Sequence, residues 1–387
     1  MGAPSTVWVL TTSRADFGIY RSVLSALDSH PALTPELIVT GMHMSARHGV
    51  SLPAVEQSGY DIAGRFSCLE EDDDSPHAVA HSMARATEGL ANVLQTRCPD
   101  LLLTLGDRFE MLSAALAAIP FRVPVAHIHG GEETEGAIDN VFRHMLTKMA
   151  HLHFPATPTA ARRIRQMGEP AAHIVTSGAP ALDSISATPN LTADEFETRF
   201  GFPLDEPFLM VTYHPVTLQT DTSMRELKAL LSVLQERPER IVFSGTNADT
   251  GGIEVQANID RFAARHSNIV QIESFGATAY YTAMRHAQAM LGNSSSGIIE
   301  AASAGLPVVN IGDRQAGRER SANIVDTYGR IENIRAALTE ALSRRGTDFR
   351  NVYGDGKAGT VIADAIAAYL SDSPTAGKAF ADIGVFA

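Results

Sequence analysis

"DLLLTLGDRFEMLSAALAAIPFRVPVAHIH" spans Asp100 to His129. An apolar run (Asp100–Gly106), a helical stretch (Phe109–Ile119) and a second apolar run (Val123–His129) follow one another with short joins. Short apolar runs bounded by turn residues read as buried strands, and a helix between two of them makes the strands parallel. This βαβ unit sets the fold class as α/β.

The alternation extends both ways. Upstream lie a strand at Val7–Ser13, a helix carrying Phe17, Tyr20, Leu24 and Leu27 on one face, a strand at Glu36–Met42 and a helix over Ser75–Gln95. Downstream, a helix over Gly136–Ala150 leads into "HLHFPA", and the polar, proline-containing Ser184–Pro207 then breaks the pattern. It restarts with strands at Phe208–His214, Arg240–Gly245, Ile269–Ser274, "AMLGNSSSG" and Leu306–Gly312, with helices between them and a last strong helix near Val361–Leu370. The expected architecture is two doubly wound, Rossmann-like domains facing a cleft. Their spans are 1–185, a hinge at 186–206, and 207–358. Residues 359–387 are a helix and a tail that either packs back on the first domain or is partly disordered. Ligands of such sheets bind beyond the carboxyl ends of the strands, where the polar clusters of this chain fall.

Composition narrows the function. Hydrophobic residues at 44% of a 387-residue chain suffice for two cores. A net charge of −13 repels polyanions, which argues against nucleic acid and acidic membrane surfaces while leaving room for a small anionic ligand. Two cysteines, Cys68 and Cys98, are too few for a disulfide framework or thiolate metal site and fit a reducing cytoplasm. The N-terminus lacks a basic region and a signal-length apolar run, and no apolar run reaches membrane-spanning length. "MGAPST" matches a myristoylation pattern by chance, because Val7–Leu10 already reads as a strand.

"TTSRADFG" follows the first strand, where Ser13 can cap a helix whose N-terminus, with Arg14, makes an anion site or simply a capped turn. "LGDRFE" places Asp107, Arg108 and Glu110 after the most apolar strand, Asp107 being either an N-cap or a cleft carboxylate beside a useful cation. "HIHGGEETEGAIDNVFRH" has three readings. His127 and His129, two apart on a strand, could chelate a metal, but no third ligand has suitable spacing. A solvated loop accounts for Glu133. For catalysis, a helix burying Ile138, Val141, Phe142, Met145 and Met149 leaves Asp139, Arg143 and His144 at the stripe's edge, and collects Asp107, His129, Glu132 and Asp139 around one spot. His214 ends the first strand of the second domain, and Pro215 stops the ladder. "GNSSSGIIE" offers free N–H groups and hydroxyls to a diphosphate, without a Walker lysine or GxGxxG spacing. Glu300 stands near enough for ribose hydroxyls, and "NIGDRQAGRER" supplies Arg314 and Arg318 for phosphate or forms a solvated basic face.

Taken together, "SRADFG", "GDRFE", "HIHGGEETEGAID", "HLHF", "HPVT", "GNSSSGIIE" and "NIGDRQAGR" resemble the UDP-N-acetylglucosamine 2-epimerase family, from Arg14 to about Ser321. The "HIHGGE" form is similar to the hydrolysing branch, which makes free N-acetylmannosamine-type sugars for sialic and legionaminic acid pathways. The resemblance implies the GT-B fold and catalytic roles for Asp107 and Asp139. It also implies nucleotide contacts from Arg14, His214, Ser294, Ser295, Glu300 and Arg314, with Arg143 and His144 near the sugar. Some relatives carry Glu where this chain has His129, so the second acid–base group is either His129 or Glu132.

The implied chemistry fits the residues. A base takes the C2 proton while UDP leaves, giving a 2-acetamidoglucal; water then adds at C1 and an acid reprotonates C2 from the other face. The steps need two acid–base groups and cationic stabilisation of the departing diphosphate, and no metal or other cofactor. UDP-GlcNAc ranks first as substrate. UDP-2,4-diacetamido-2,4,6-trideoxyglucose or a GDP-linked sugar is the alternative. Met42, His43 and Met44 either face C4 and C6 or pack on their own domain. A homodimer or homotetramer follows from the resemblance. Two rivals keep the diphosphate cradle: a GT-B glycosyltransferase, which would need an acceptor groove, and a nucleotide-sugar sensor, which has no use for Asp107 plus Asp139.

Overall fold

The computed structural model describes residues 3–46, 51–70, 73, 75–134, 138–214, 220–245, 252–272, 275–372 and 377–382. Pro215 to Thr217 of "HPVT" and Gly136–Ala137, the expected helix start, lie outside them. The chain divides into two compact units. One comprises Met1–Glu133, Ala137–Ser184 and Tyr353–Ala387; the other comprises Ile185–Val352 with Thr134–Gly136.

The first unit holds a parallel six-stranded sheet of β1 (Ser5–Thr11), β2 (Leu33–Val39), β3 (Ile62–Arg65), β4 (Leu101–Leu105), β5 (Val125–Ile128) and β6 (Leu152–Phe154), in the order β3-β2-β1-β4-β5-β6. Helices cover both faces, so central strands bury every side chain and read as unbroken apolar runs. β4 is buried at all five positions. Edge strand β3, "IAGR", has no fully buried position, and its weak pattern escapes periodicity. The core runs from Trp8, Leu10 and Leu24 through Leu103 and Ala126 to Ile362 and Ile366 of the helix Ala358–Ser371. Each such Leu or Ile adds about 1.5–3 kcal/mol by leaving water. Within the described tail, Lys378 bonds the Ala150 carbonyl at 2.6 Å and Glu169 at 2.9 Å, and Phe380 lies over Lys148.

The second unit repeats the plan with β7 (Phe208–Thr212), β8 (Arg240–Ser244), β9 (Ile269–Ile272), β10 (Ala289–Gly292), β11 (Val308–Ile311) and β12 (Ile324–Thr327), in the order β12-β11-β10-β7-β8-β9. Edge strand β12 and the helix Ile331–Ser343 were not anticipated; "IVDT" is short and its Asp326 faces solvent. In each sheet the winding reverses once, between β1 and β4 and between β7 and β10. The turns beyond these pairs diverge and leave a crevice.

One expected face is wrong. The helix Asp139–Met149 buries Arg143, Leu146 and Thr147. Phe142 and Met149 pack at the core edge, but Ile138, Val141 and Met145 are 70%, 57% and 49% exposed. They share that exposure with Leu116, which ends the neighbouring helix Phe109–Leu116, and with Ile119 and Phe121, which follow it. The ion pair of Arg143 takes the inward direction, and the apolar stripe faces outward.

Candidate active site

The turn after β1 is built on Asp16. Its carboxylate accepts from the N–H groups of Thr12, Ser13 and Phe17 at 2.7–2.9 Å and from the Thr12 and Ser13 hydroxyls at 2.8 Å. Ser13 caps the helix Arg14–Ser29 in a capping box. The turn is thus locked, and Arg14 stands exposed at the helix N-terminus. Beside it, His43 is buried, with Nε2 2.9 Å from the Thr11 hydroxyl and Nδ1 2.7 Å from that of Ser51. Both ring nitrogens are committed, so His43 packs on its own unit, as does half-buried Met44.

Beyond β4, Gly106 donates to the Ile128 carbonyl at 2.9 Å and turns the chain out of the sheet at φ +75°. Asp107 then does not cap; the cap position of Phe109–Leu116 is Arg108, without a side-chain capping bond. Asp107 instead forms an ion pair with buried Arg143. Arg108 is gripped by fully buried Glu110 at 2.6 Å. Burial works against the Arg108 charge, and Glu110, Asp16 and Asp139 more than offset it. Asp139, the first residue of its helix, has its carboxyl raised above the usual range by burial and by Asp107, against the pull of Arg108 and Arg143. Two carboxylates and two guanidinium groups therefore share one field at this strand end.

β5 stops at Ile128, and His129 takes φ +63°. The strand's alternation ends there, so His127 and His129 do not share a face. His127 is buried, bonded through Nε2 to the Gly106 carbonyl at 2.8 Å and through Nδ1 to Thr147 at 3.1 Å. Burial lowers its pKa to about 3, so it is neutral. Among the described residues no group of three or more His, Cys, Asp or Glu is placed to hold a metal ion. His129 Nδ1 lies 2.6 Å from Glu132 Oε1. Glu133, expected to be solvated, is a hub. It accepts from Asn140 at 2.7 Å and meets His144 at 3.1 Å and Arg163 at 3.2 Å. Burial raises its carboxyl, and these partners bring it below the usual value. His144 thus bonds this loop.

In the second unit, β7 and β10 end side by side. Gly292, at φ +134°, lies so close to β7 that a Cβ would sit 2.0 Å from the Thr212 carbonyl oxygen, which excludes any other residue. Asn293 then bonds both backbone groups of His214, accepting from its N–H at 2.7 Å and donating to its carbonyl at 2.8 Å. The Asn293 carbonyl accepts from Arg314 at 3.1 Å and from Gln315 at 2.9 Å. Burial and Arg314 lower the His214 pKa to about 4, leaving a neutral imidazole. Ser294 caps the short helix Ser295–Ile299, and Ser296 bonds Tyr280 at 2.7 Å. Half-buried Glu300 accepts from Tyr281 at 3.2 Å; burial raises its pKa to about 7. Arg320 is held by Asp326.

The first unit brings together Asp107, Arg108, Asp139 and Arg143, and couples His129 to Glu132. The second brings together His214, Asn293 and Arg314, with Ser294 and Ser295 in the next turn and Glu300 one turn on. Glu110, Asn293, Gln315, Tyr280 and Tyr281 were not singled out as site residues. Glu110 lies within "GDRFE", Gln315 within "NIGDRQAGR" and Asn293 within "GNSSSG", while Tyr280 and Tyr281 fall in none of these motifs and carry no charge.

The family model described as UDP-N-acetylglucosamine 2-epimerase matches residues 25–367. A UDP-N,N'-diacetylbacillosamine 2-epimerase (hydrolysing) of Legionella pneumophila is 36% identical over 352 residues, 90% of this chain and 92% of that protein. A GDP/UDP-N,N'-diacetylbacillosamine 2-epimerase (hydrolysing) of Campylobacter jejuni is 32% identical over 83% of this chain and 84% of that protein. A solved UDP-GlcNAc 2-epimerase from Neisseria meningitidis, bound to UDP-GlcNAc, has the same fold. Its TM-score is 0.77 at 18% identity, over 93% of this chain and 99% of that one. The doubly wound sheets are therefore those of a GT-B protein. With the matched span running from within its first helix to within its last, the chain belongs to the UDP-N-acetylglucosamine 2-epimerase family.

Proposed function

We propose that the protein hydrolyses a UDP-linked 2-acetamido sugar with inversion at C2, UDP-GlcNAc and water giving N-acetylmannosamine and UDP. The reading is carried by the rim of the first sheet, where Asp139 keeps a raised proton affinity beside Asp107 under two guanidinium groups. A carboxyl whose proton affinity is raised beside a second carboxylate can take and return a proton. Asp107, Asp139 and the His129–Glu132 pair carry the proton transfers, with Arg143 holding Asp107. The second unit takes the nucleotide. Arg314, His214, Ser294 and Ser295 receive the diphosphate and Glu300 the ribose, while Arg14, Arg108 and His144 bind on the sugar side.

In the reaction the C2–H bond breaks toward a base, its electrons form the C1–C2 double bond, and the C1–O pair leaves on UDP. Water supplies hydroxyl to C1 and a proton returns to the other face of C2. Run in D₂O with UDP-GlcNAc, the reaction should release UDP and a free 2-epimer with one deuterium at C2. Protium at C2, or no release without an acceptor, would overturn it.

The relatives named for diacetylbacillosamine favour a second substrate reading, the same chemistry on UDP-2,4-diacetamido-2,4,6-trideoxyglucose. The ratio of kcat/KM for the two sugars decides between them. The exposed Ile138–Val141–Met145 stripe supports a homo-oligomer. No helix among the described residues is long and apolar enough to cross a membrane; the two free cysteines fit a cytoplasmic enzyme.

A further inference from the structure

The "HGGE" turn is shaped to bring a carboxylate back onto the histidine that opens it. His129 leaves β5 level with Gly106, since Leu105 pairs with Ile128 and Gly106 bonds the Ile128 carbonyl. It therefore stands at the strand end next to Asp107. Its backbone is held in the left-handed region by a bond from its N–H to the Phe154 carbonyl at 3.0 Å. A non-glycine residue at that φ is uncommon and marks a constraint the surrounding structure imposes. A Cβ on Gly130 would come within 2.9 Å of both His127 Nδ1 and Thr147 Oγ1. Gly131 has φ +74°, and a Cβ there would lie 2.5 Å from the Ala160 carbonyl. Only this pair of glycines lets the chain curl tightly enough for Glu132 to reach back.

We infer that Glu132 is a positioning residue that fixes His129 as the Nδ1–H tautomer, so that Nε2 is the acid–base atom of the second C2 face. The contact is 2.6 Å from Nδ1 to Oε1, between side chains 12% and 9% exposed. Among the described residues, Nε2 of His129 makes no hydrogen bond. An imidazole whose one nitrogen donates to a buried carboxylate presents the other as a base, and the carboxylate steadies the imidazolium once Nε2 has a proton. The division of labour, which rests on the 2-epimerase reading above, pairs His129 with a carboxylate on the opposite side of C2. That carboxylate receives the C2 proton as the C–H electrons become the glycal double bond and UDP departs with the C1–O pair; protonated Nε2 then gives its proton to the opposite face of C2 as water hydroxyl joins C1, and the proton that water releases returns through solvent to the imidazole. His127 cannot substitute, because both its nitrogens are bonded in the core.

The test compares Glu132→Ala and Glu132→Gln with the parent protein. Ring ¹⁵N shifts of His129, assigned by loss of its signal in His129→Asn, report the tautomer without substrate. The parent should show the Nδ1–H form. Glu132→Gln, whose amide oxygen still accepts, should keep that form and lose about tenfold in kcat. Glu132→Ala should lose the tautomer preference and about 10²–10³ in kcat, with KM nearly unchanged. An Nε2–H form in the parent, or Glu132→Ala with unchanged ring shifts, overturns the inference whatever happens to turnover. Should Glu132→Ala fail to fold, Glu132→Gln decides by the same readouts, its full parental kcat overturning the inference. A parent that shows the Nδ1–H form but releases no UDP from either sugar overturns the proposed reaction and leaves the tautomer assignment standing.

Discussion

Asn293 holds His214 by both ends of its backbone, Oδ1 accepting from the N–H at 2.7 Å and Nδ2 donating to the carbonyl at 2.8 Å. This reciprocal pair ties the end of β7 to the end of β10 at the point where the second sheet reverses its winding. Arg314 and Gln315 then close on the Asn293 carbonyl. One buried residue thus fixes the backbone at His214 through its side-chain amide and a guanidinium through its main-chain carbonyl.

Asn293→Ala removes two bonds and leaves the His214 N–H and carbonyl without these partners, which costs about 1–3 kcal/mol for each buried group left unsatisfied. UDP affinity, read by calorimetry, should fall about 10–100-fold. The thermal midpoint should fall with it. Retained UDP affinity in Asn293→Ala would show that the register does not serve the nucleotide.

Asp107→Asn and Asp139→Asn should each lower kcat by about 10²–10⁴ with UDP binding nearly intact. Their stabilities should differ in sign. Asp107→Asn removes the ion pair that buried Arg143 makes with Asp107, and the melting temperature should fall. Burial and Asp107 both work against the Asp139 charge, so Asp139→Asn at pH 7 should melt at the parent temperature or above. Equal losses of stability in both variants would contradict this electrostatic account.

Glu300 binds its proton more tightly folded than unfolded, with a native pKa near 7 against an ordinary 4.5. Between those values the native state holds more protons, so its contribution to stability is present below about pH 4.5 and is lost as pH rises through 7. Melting curves should show Glu300→Gln gaining on the parent from pH 5 to pH 7.5. UDP affinity of the parent should rise over the same range as the carboxylate forms and accepts from ribose. A parent and variant that run parallel across pH would refute it.

Val141→Glu with Met145→Glu places charges on a face that already lies in water in the single chain. The fold of the unit should survive, with an unchanged far-UV spectrum. Light scattering should report a smaller assembly for the double variant than for the parent. An unaltered mass would locate the oligomer contact elsewhere.

The two sheets were legible because the central strands are buried on both faces, and "VWVL", "LLLTL" and "FLMV" therefore carry no ambiguity of face. The edge strands β3 and β12 were not, because an edge needs no apolar run. The helix Asp139–Met149 marks the sharper limit. Ile138, Val141 and Met145 recur at helical spacing whether the face meets a core or another surface.

The sequence by itself determined the parallel α/β class, the places where polar clusters follow strands, and the family, because these depend on local period and on motifs contiguous along the chain. Only the tertiary structure decided which charges are coupled. Arg143 with Asp107 spans 36 residues and Asn293 with His214 spans 79, and no local period encodes such pairs. It also decided that His127 and His43 are bound through both ring nitrogens in the interior while His129 meets Glu132 through Nδ1. That choice rests on where the backbone turns positive after β5 and on which buried hydroxyls and carbonyls stand within bonding distance of each ring.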